Sequence, residues 1–181
     1  MTLERNPIRY YPKVSIERRI YAFLIDFVFI WLLSSFVGDA VLIRSVIFLI
    51  LWWIARVIVS QKNQGQSLGH WLMDIKIIDP RFDRTPLILE LIKREAILGF
   101  AALLAMWGLE IGFANGLSML LLVSPLACDA GIALSDPELY QAFHDRVAGT
   151  MAITTKRGYS LDLRIRNIWL DTKRRWRNRV K

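Results

Sequence analysis

The sequence predicts an all-α integral membrane protein. Its core is a four-helix transmembrane bundle made of two antiparallel hairpins, with a small two-strand cytoplasmic β element and a basic amphipathic tail. Three observations carry that prediction. The 181 residues are 54% hydrophobic, with a mean hydropathy of +0.34, more apolar than a soluble domain of this length requires. Two apolar runs of spanning length follow one another near the N-terminus. The basic residues are sorted into blocks between the apolar ones.

Composition also excludes much. A single cysteine, Cys128, allows neither a disulfide framework nor a multi-thiolate metal site. Two histidines, His70 and His144, do not make a histidine-rich metal centre. No nucleophile–base constellation is present, so the chain reads as a non-enzyme with no catalytic, metal or cofactor residues.

Residues 1–19 form a basic N-terminal segment. Ile20 to Val37 then reads IYAFLIDFVFIWLLSSFV, whose one charge is Asp26. At about 1.5 Å rise per residue such a run can cross a hydrocarbon core of about 30 Å if its ends are anchored. It is too long for a signal peptide, and a second span follows at once. After Gly38-Asp39-Ala40, residues 41–60 form that second span. Arg44 and Arg56 lie near its ends, where long side chains can snorkel.

Between residues 60 and 88, Gly65 and Gly69 mark turns, and residues 73–79 read as a strand stopped at Asp79-Pro80. A third helix should start at Pro86 with Thr85 as its N-cap. Two further apolar stretches, about 92–110 and 115–134, are separated by a break holding Asn115-Gly116. They make either one kinked span or a second hairpin. Charge favours the hairpin. Apart from Arg44 and Arg56, the 24 Lys and Arg lie before Ile20, between Lys62 and Arg94, or after Leu134. Both termini are then cytoplasmic, and the number of crossings is even.

A helix capped by Asp136 should end at Gly149. Residues 150–155 alternate as a second strand, which should pair with 73–79 and leave neither edge open on that side. Together, residues 20–156 form the membrane domain and 157–181 a separate basic tail. The tail carries apolar residues at 161, 165, 168, 169 and 176, which is helical spacing with a basic face. This suits a helix lying on anionic lipid, or a solvated tail that only fixes topology. Nucleic-acid binding is disfavoured for a chain already held at a membrane.

Asp26 is the charge that demands explanation. A charged Asp near a span centre costs roughly 2.5–3.5 kcal/mol on insertion scales. Side chains lean toward the helix N-terminus, so Arg19 leans away from Asp26 on the shared face. Folding the hairpin about its turn brings Arg56 within reach, and an Asp26–Arg56 pair is expected. Whether Asp26 is an inert packing pin or a titrating carboxylate stays open. Asp129 is a second acid that four spans would put inside the membrane.

These residues resemble the RDD family, named for one arginine and two aspartates. Arg19-Ile-Tyr-Ala22-Phe-Leu-Ile25-Asp26 is similar to its opening R-x-x-A-x-x-I-D. Gly65-Gln-Ser-Leu68-Gly69 is similar to its G-x-T/S-L-G-K, with His70 in place of the lysine. Ile75-Lys-Ile-Ile78-Asp79 and Lys93-Arg94-Glu95 resemble the next two segments. His144-Asp145-Arg-Val-Ala148-Gly149-Thr150 resembles the closing H-D-x-x-A-G-T. The resemblance covers about residues 14–156, and the tail lies beyond it. It implies that Arg19, Asp26 and Asp145 are the characteristic polar residues. It also implies transport of undefined ligands, with cation/proton antiport in some members.

At the level of residues, Asp145 either caps locally, through backbone N–H groups or Arg146, or meets Arg19 at the membrane surface. An Arg19–Asp145 contact is the expectation, with His144 beside it. Two functions follow. One is a small transporter or cation/proton exchanger, working as a homo-oligomer. The alternative is a membrane adaptor or assembly factor of a larger membrane complex. Expected surroundings are a prokaryotic inner or internal membrane, with anionic lipid at the tail.

Overall fold

The structure is a computed structural model. It describes residues 11–38, 40–112, 115–135 and 141–155, and in the tail 157, 160–161, 163–165, 169–170 and 173. Helix α1 is Ile16–Ser35. Helix α2 runs over Val41–Lys62, with one widened π-helical turn at Ile54–Ile58. Short α3 is Leu68–Leu72 and strand β1 is Ile75–Ile78. Helix α4 is Ile88–Ile111 and α5 is Gly116–Leu134. Short α6, Phe143–Ala148, precedes strand β2, Met151–Thr154. The protein is therefore mostly helical, with one small sheet.

Among the described residues, two helices, α2 and α5, are long and apolar enough to cross a membrane. Their side chains face mainly outward: Leu42 is 79% exposed and Leu117 74%. A surface that apolar suits lipid, not water. Helices α1 and α4 are as long but carry several charges, gathered toward the end where the sheet lies.

Helix α1 packs on α2, α2 on α4, and α4 most extensively on α5. At the α4–α5 crossing a Cβ on Gly108 would lie 3.1 Å from the Met119 carbonyl oxygen, so the two backbones approach closely. The main core joins α1, α2 and α4 through Phe27, Ile30, Phe48, Trp52, Leu98 and Met106. Phe48 and Trp52, one turn apart, stack with ring centroids 5.7 Å apart.

The two strands pair antiparallel, with Ile75 opposite Thr154 and Ile78 opposite Met151. They occupy the centre of the two expected segments. Beyond β2, the Thr154 N–H donates to the Pro12 carbonyl, so the N-terminal segment covers that edge. Ile75 and Ile77 bury against Val14, Ala22 and Met73, which seats the sheet on the start of α1.

Four local expectations need correction. Helix α1 begins at Ile16, a turn before residue 20. The third long helix starts at Ile88, not Pro86. The Glu90 carboxylate accepts the Leu87 N–H at 2.9 Å and supplies the cap that was assigned to Thr85. Gly69 lies inside α3, not in a turn, because Ser67 caps that helix by accepting the His70 N–H. Glu110, at the end of the expected 92–110 span, lies in the last turn of α4 and pairs with Arg44 at 3.0 Å. Asp136, the expected cap before α6, lies outside the described residues, as do Ile168 and Trp176 of the tail.

Candidate functional site

Helix α1 places Asp26 two turns above Arg19 on one face. Helix α2 approaches antiparallel, and its widened turn holds Arg56, 2% exposed, between α1 and α4. A π-helical turn departs from the α-helical progression and is frequent at functional sites. Here it sets a guanidinium between two carboxylates. Arg56 Nη1 donates to Asp26 Oδ2 at 2.5 Å, and its Nε donates to Glu95 Oε2 at 2.7 Å. The expected Asp26–Arg56 pair is thus present, but it is one half of a triad.

Asp26 has two further partners. The Ser67 hydroxyl donates to its Oδ2 at 2.6 Å, and the Gly69 N–H to its Oδ1 at 2.7 Å. Glycine is required at 69 by space, since a Cβ there would overlap the Ala22 carbonyl. The single Ser67 hydrogen is given to Asp26, so His70 Nδ1, 2.8 Å from Ser67 Oγ, must carry the donor proton. Burial, reinforced by Arg56, Arg94 and Arg19, pushes His70 well below the usual imidazole range, and it is neutral. Gly65 stands beside this group, where a Cβ would strike the Ile77 carbonyl.

The chain of ion pairs continues through α4. Arg94 Nη1 donates to Glu95 Oε1 at 2.7 Å, and Arg94 Nε donates to Asp145 Oδ1 at 2.9 Å. Arg19 donates to Asp145 Oδ2. Asp145 is therefore shared by two guanidiniums from helices α1 and α4, and the alternatives of local capping or pairing with Arg146 do not describe it. Burial alone would raise its carboxyl, but Arg19, His144 and Arg94 outweigh this and hold it far below the usual carboxylate range. Gly149, in the left-handed conformation, ends α6 just after this group.

Asp129 of α5 closes the network. Its Oδ2 lies 2.6 Å from His144 Nδ1, and its Oδ1 accepts the His144 N–H at 3.0 Å. His144 Nε2 lies 3.2 Å from Arg94 Nη2 and 3.5 Å from Asp145 Oδ1. Among the described residues the linked groups hold four carboxylates (Asp26, Glu95, Asp129, Asp145) and three guanidiniums (Arg19, Arg56, Arg94).

Every expected polar residue lies in this one network: Arg19, Asp26, Arg56, Asp145, His144 and Asp129. Glu95 and Ser67 were not singled out. Glu95 had a signal, because it sits four residues after Leu91 and three before Leu98 on the buried stripe of α4. Ser67 had none, since its role depends on a loop folding back onto α1. Among the described residues, no group of three or more His, Cys, Asp and Glu side chains is placed to hold a metal ion.

Above the network, α1 and α5 flank a cleft of about 370 Å³ with α4 behind it. Phe23, Phe27, Leu109, Val123 and Leu126 line its long walls. Arg19, Arg94, His144 and Asp129 line its polar end.

No curated protein and no solved structure matches the chain. The RDD family model matches residues 13–149, a segment that holds both helical hairpins and every residue of the ion-pair network. The chain is a membrane protein of the RDD family.

Proposed function

We propose that the protein is a small transporter in which the cleft between α1 and α5 receives the solute, and proton occupancy of the Asp129–His144 pair is coupled to it. In this reading α1, α2, α4 and α5 all cross the membrane, and the sheet lies on the cytoplasmic side with both termini. One observation carries the reading. An apolar cleft of about 370 Å³ ends on a buried ion-pair network, and the Asp129–His144 pair of that network lines the cleft. Sites for small molecules have this character, being largely apolar with a few converging polar groups. Asp26 is a weaker candidate for ion exchange, because it does not line the cleft and is held by Arg56, Ser67 and the Gly69 N–H. Its part is to hold α1, α2 and α3 together.

Proteoliposomes with a trapped pH-sensitive dye test the proposal. Imposed gradients of Na⁺, K⁺, Li⁺ or an organic anion should move protons with the wild type for at least one solute. Asp129→Asn should abolish that movement while the protein stays monodisperse. Undiminished coupling in this variant would sink the proposal. Absence of flux for every solute, with stable recovery of a larger complex from native membranes, would favour the adaptor reading instead.

A further inference from the structure

The polarity of the cleft is graded along its length. Its charged end is formed by Arg19 near the start of α1, Arg94 near the start of α4, and the Asp129–His144 pair. Its far end is formed by Phe27, Leu109 and Val123, with no charged group among the described lining residues. From Arg94 to Leu109 the wall of α4 rises about 22 Å. That exceeds one leaflet of a hydrocarbon core about 30 Å thick.

The charged end is also lopsided. Asp26, Glu95 and Asp145, the carboxylates that balance the arginines, are at most 1% exposed and do not line the cleft. Arg19, Arg56 and Arg94 do line it, and among the described residues Asp129 is the one carboxylate beside them. Arg56 and Arg94 are themselves only 2% and 3% exposed, so the guanidinium that the cleft can reach is Arg19. Guanidinium groups recognise phosphate and carboxylate through charge-assisted hydrogen bonds. Arg19, which lines the cleft and pairs with Asp145 behind it, has a side chain 14% exposed.

We infer that the cleft binds an anionic lipid of the surrounding bilayer, with one acyl chain along the apolar walls and the headgroup phosphate at Arg19. Size, length and polarity favour this occupant. The volume suits one chain and not a second helix, and a fully polar solute would leave the walls of Phe23, Phe27 and Leu126 unsatisfied. The inference rests on the reading of this cleft as the solute site and gives that solute a chemical class. It does not depend on whether the lipid is moved or only held.

Native mass spectrometry of the full chain tests it, after purification from vesicles holding equal amounts of phosphatidylglycerol and phosphatidylcholine with the same acyl chains. The wild type should retain phosphatidylglycerol with at least a tenfold preference. Ala130→Trp and Ala127→Trp each put an indole into the cleft and should reduce retention at least fivefold. Leu42→Trp, on the outward face of α2, should retain it. Equal retention of the two lipids, or unchanged retention in both cleft variants, would overturn the inference. So would displacement of the lipid by millimolar inorganic phosphate alone, because the acyl chain would then contribute nothing. Size-exclusion profiles identify any variant that fails to fold, and either cleft variant suffices. Binding that persists without solute-coupled proton flux supports this inference and counts against the transport reading. Flux without lipid preference does the reverse.

Discussion

Arg56 and Glu95 meet at 2.7 Å on neighbouring helices, and neither side chain is more than 2% exposed. Because Arg56 also holds Asp26, one guanidinium ties α1, α2 and α4 together at the level of the widened turn. Removing a single member leaves an uncompensated buried charge, which costs about 3–5 kcal/mol. Arg56→Met should destabilise the protein by that amount, read as a lowered midpoint of denaturation in detergent. Asp26→Asn/Arg56→Met/Glu95→Gln should recover more than half of the loss. If the triple variant is as unstable as the single one, the charges are not balancing one another.

Gly69→Ala should be among the most damaging one-carbon changes in the chain. The new methyl overlaps the Ala22 carbonyl and lifts the Gly69 N–H from Asp26. Overpacking and a lost charge-assisted bond together amount to at least about 3 kcal/mol. Gly131→Ala meets nothing within 4 Å and should be neutral or slightly stabilising. Comparing the two melting midpoints checks the pair.

Stability should fall as pH drops below about 6.5. Burial and three nearby arginines lower the folded His70 value, so the unfolded chain binds a proton that the folded chain does not. The favourable term is complete above the unfolded value and is lost as pH falls toward the folded one. Its slope is bounded at about 1.4 kcal/mol per pH unit. His70→Gln should flatten the profile between pH 6.5 and 5 relative to wild type. Identical slopes would mean that His70 stays accessible to protons. Asp145 follows the depressed-carboxylate pattern, so its contribution holds above about pH 4 and is lost below it.

The sheet provides a test of topology. Lys76 lies opposite Ile153, at a separation of about 4.5–5.5 Å that a disulfide can bridge. Lys76→Cys/Ile153→Cys, in a Cys128→Ser background, should crosslink under mild oxidation and shift on a gel. Lys76→Cys/Thr154→Cys points its two side chains to opposite faces and should not. Equal crosslinking in both would show that the register is wrong.

Much of this architecture was legible in the residues. The hairpin geometry alone brought Asp26 and Arg56 together, since helix rise and side-chain lean are local properties. The two strands were visible because each alternates and each needs a partner. Other features depended on distant packing. Helix α3 was hidden because Gly69, usually a punctuation mark, is present to admit the α1 backbone. The triad through Glu95 was incomplete because its place on the buried stripe of α4 shows that Glu95 is buried but not that Arg56 of α2 is its partner. The widened turn at Ile54–Ile58 has no compositional signal, and its residues would extend an ordinary helix equally well.

The ion-pair network also has an order in time. Asp26 and Arg56 are 30 residues apart, Arg56 and Glu95 39, Arg94 and Asp145 51, and Arg19 and Asp145 126. A ribosome delivers the chain in that sequence, so the first hairpin neutralises its own acid before the third long helix exists. Arg19 receives Asp145 only when nearly the whole membrane domain has been made. A nascent chain stopped before residue 145 therefore lacks the carboxylate shared by α1 and α4, and a quality-control protease could tell it from the finished protein by that difference.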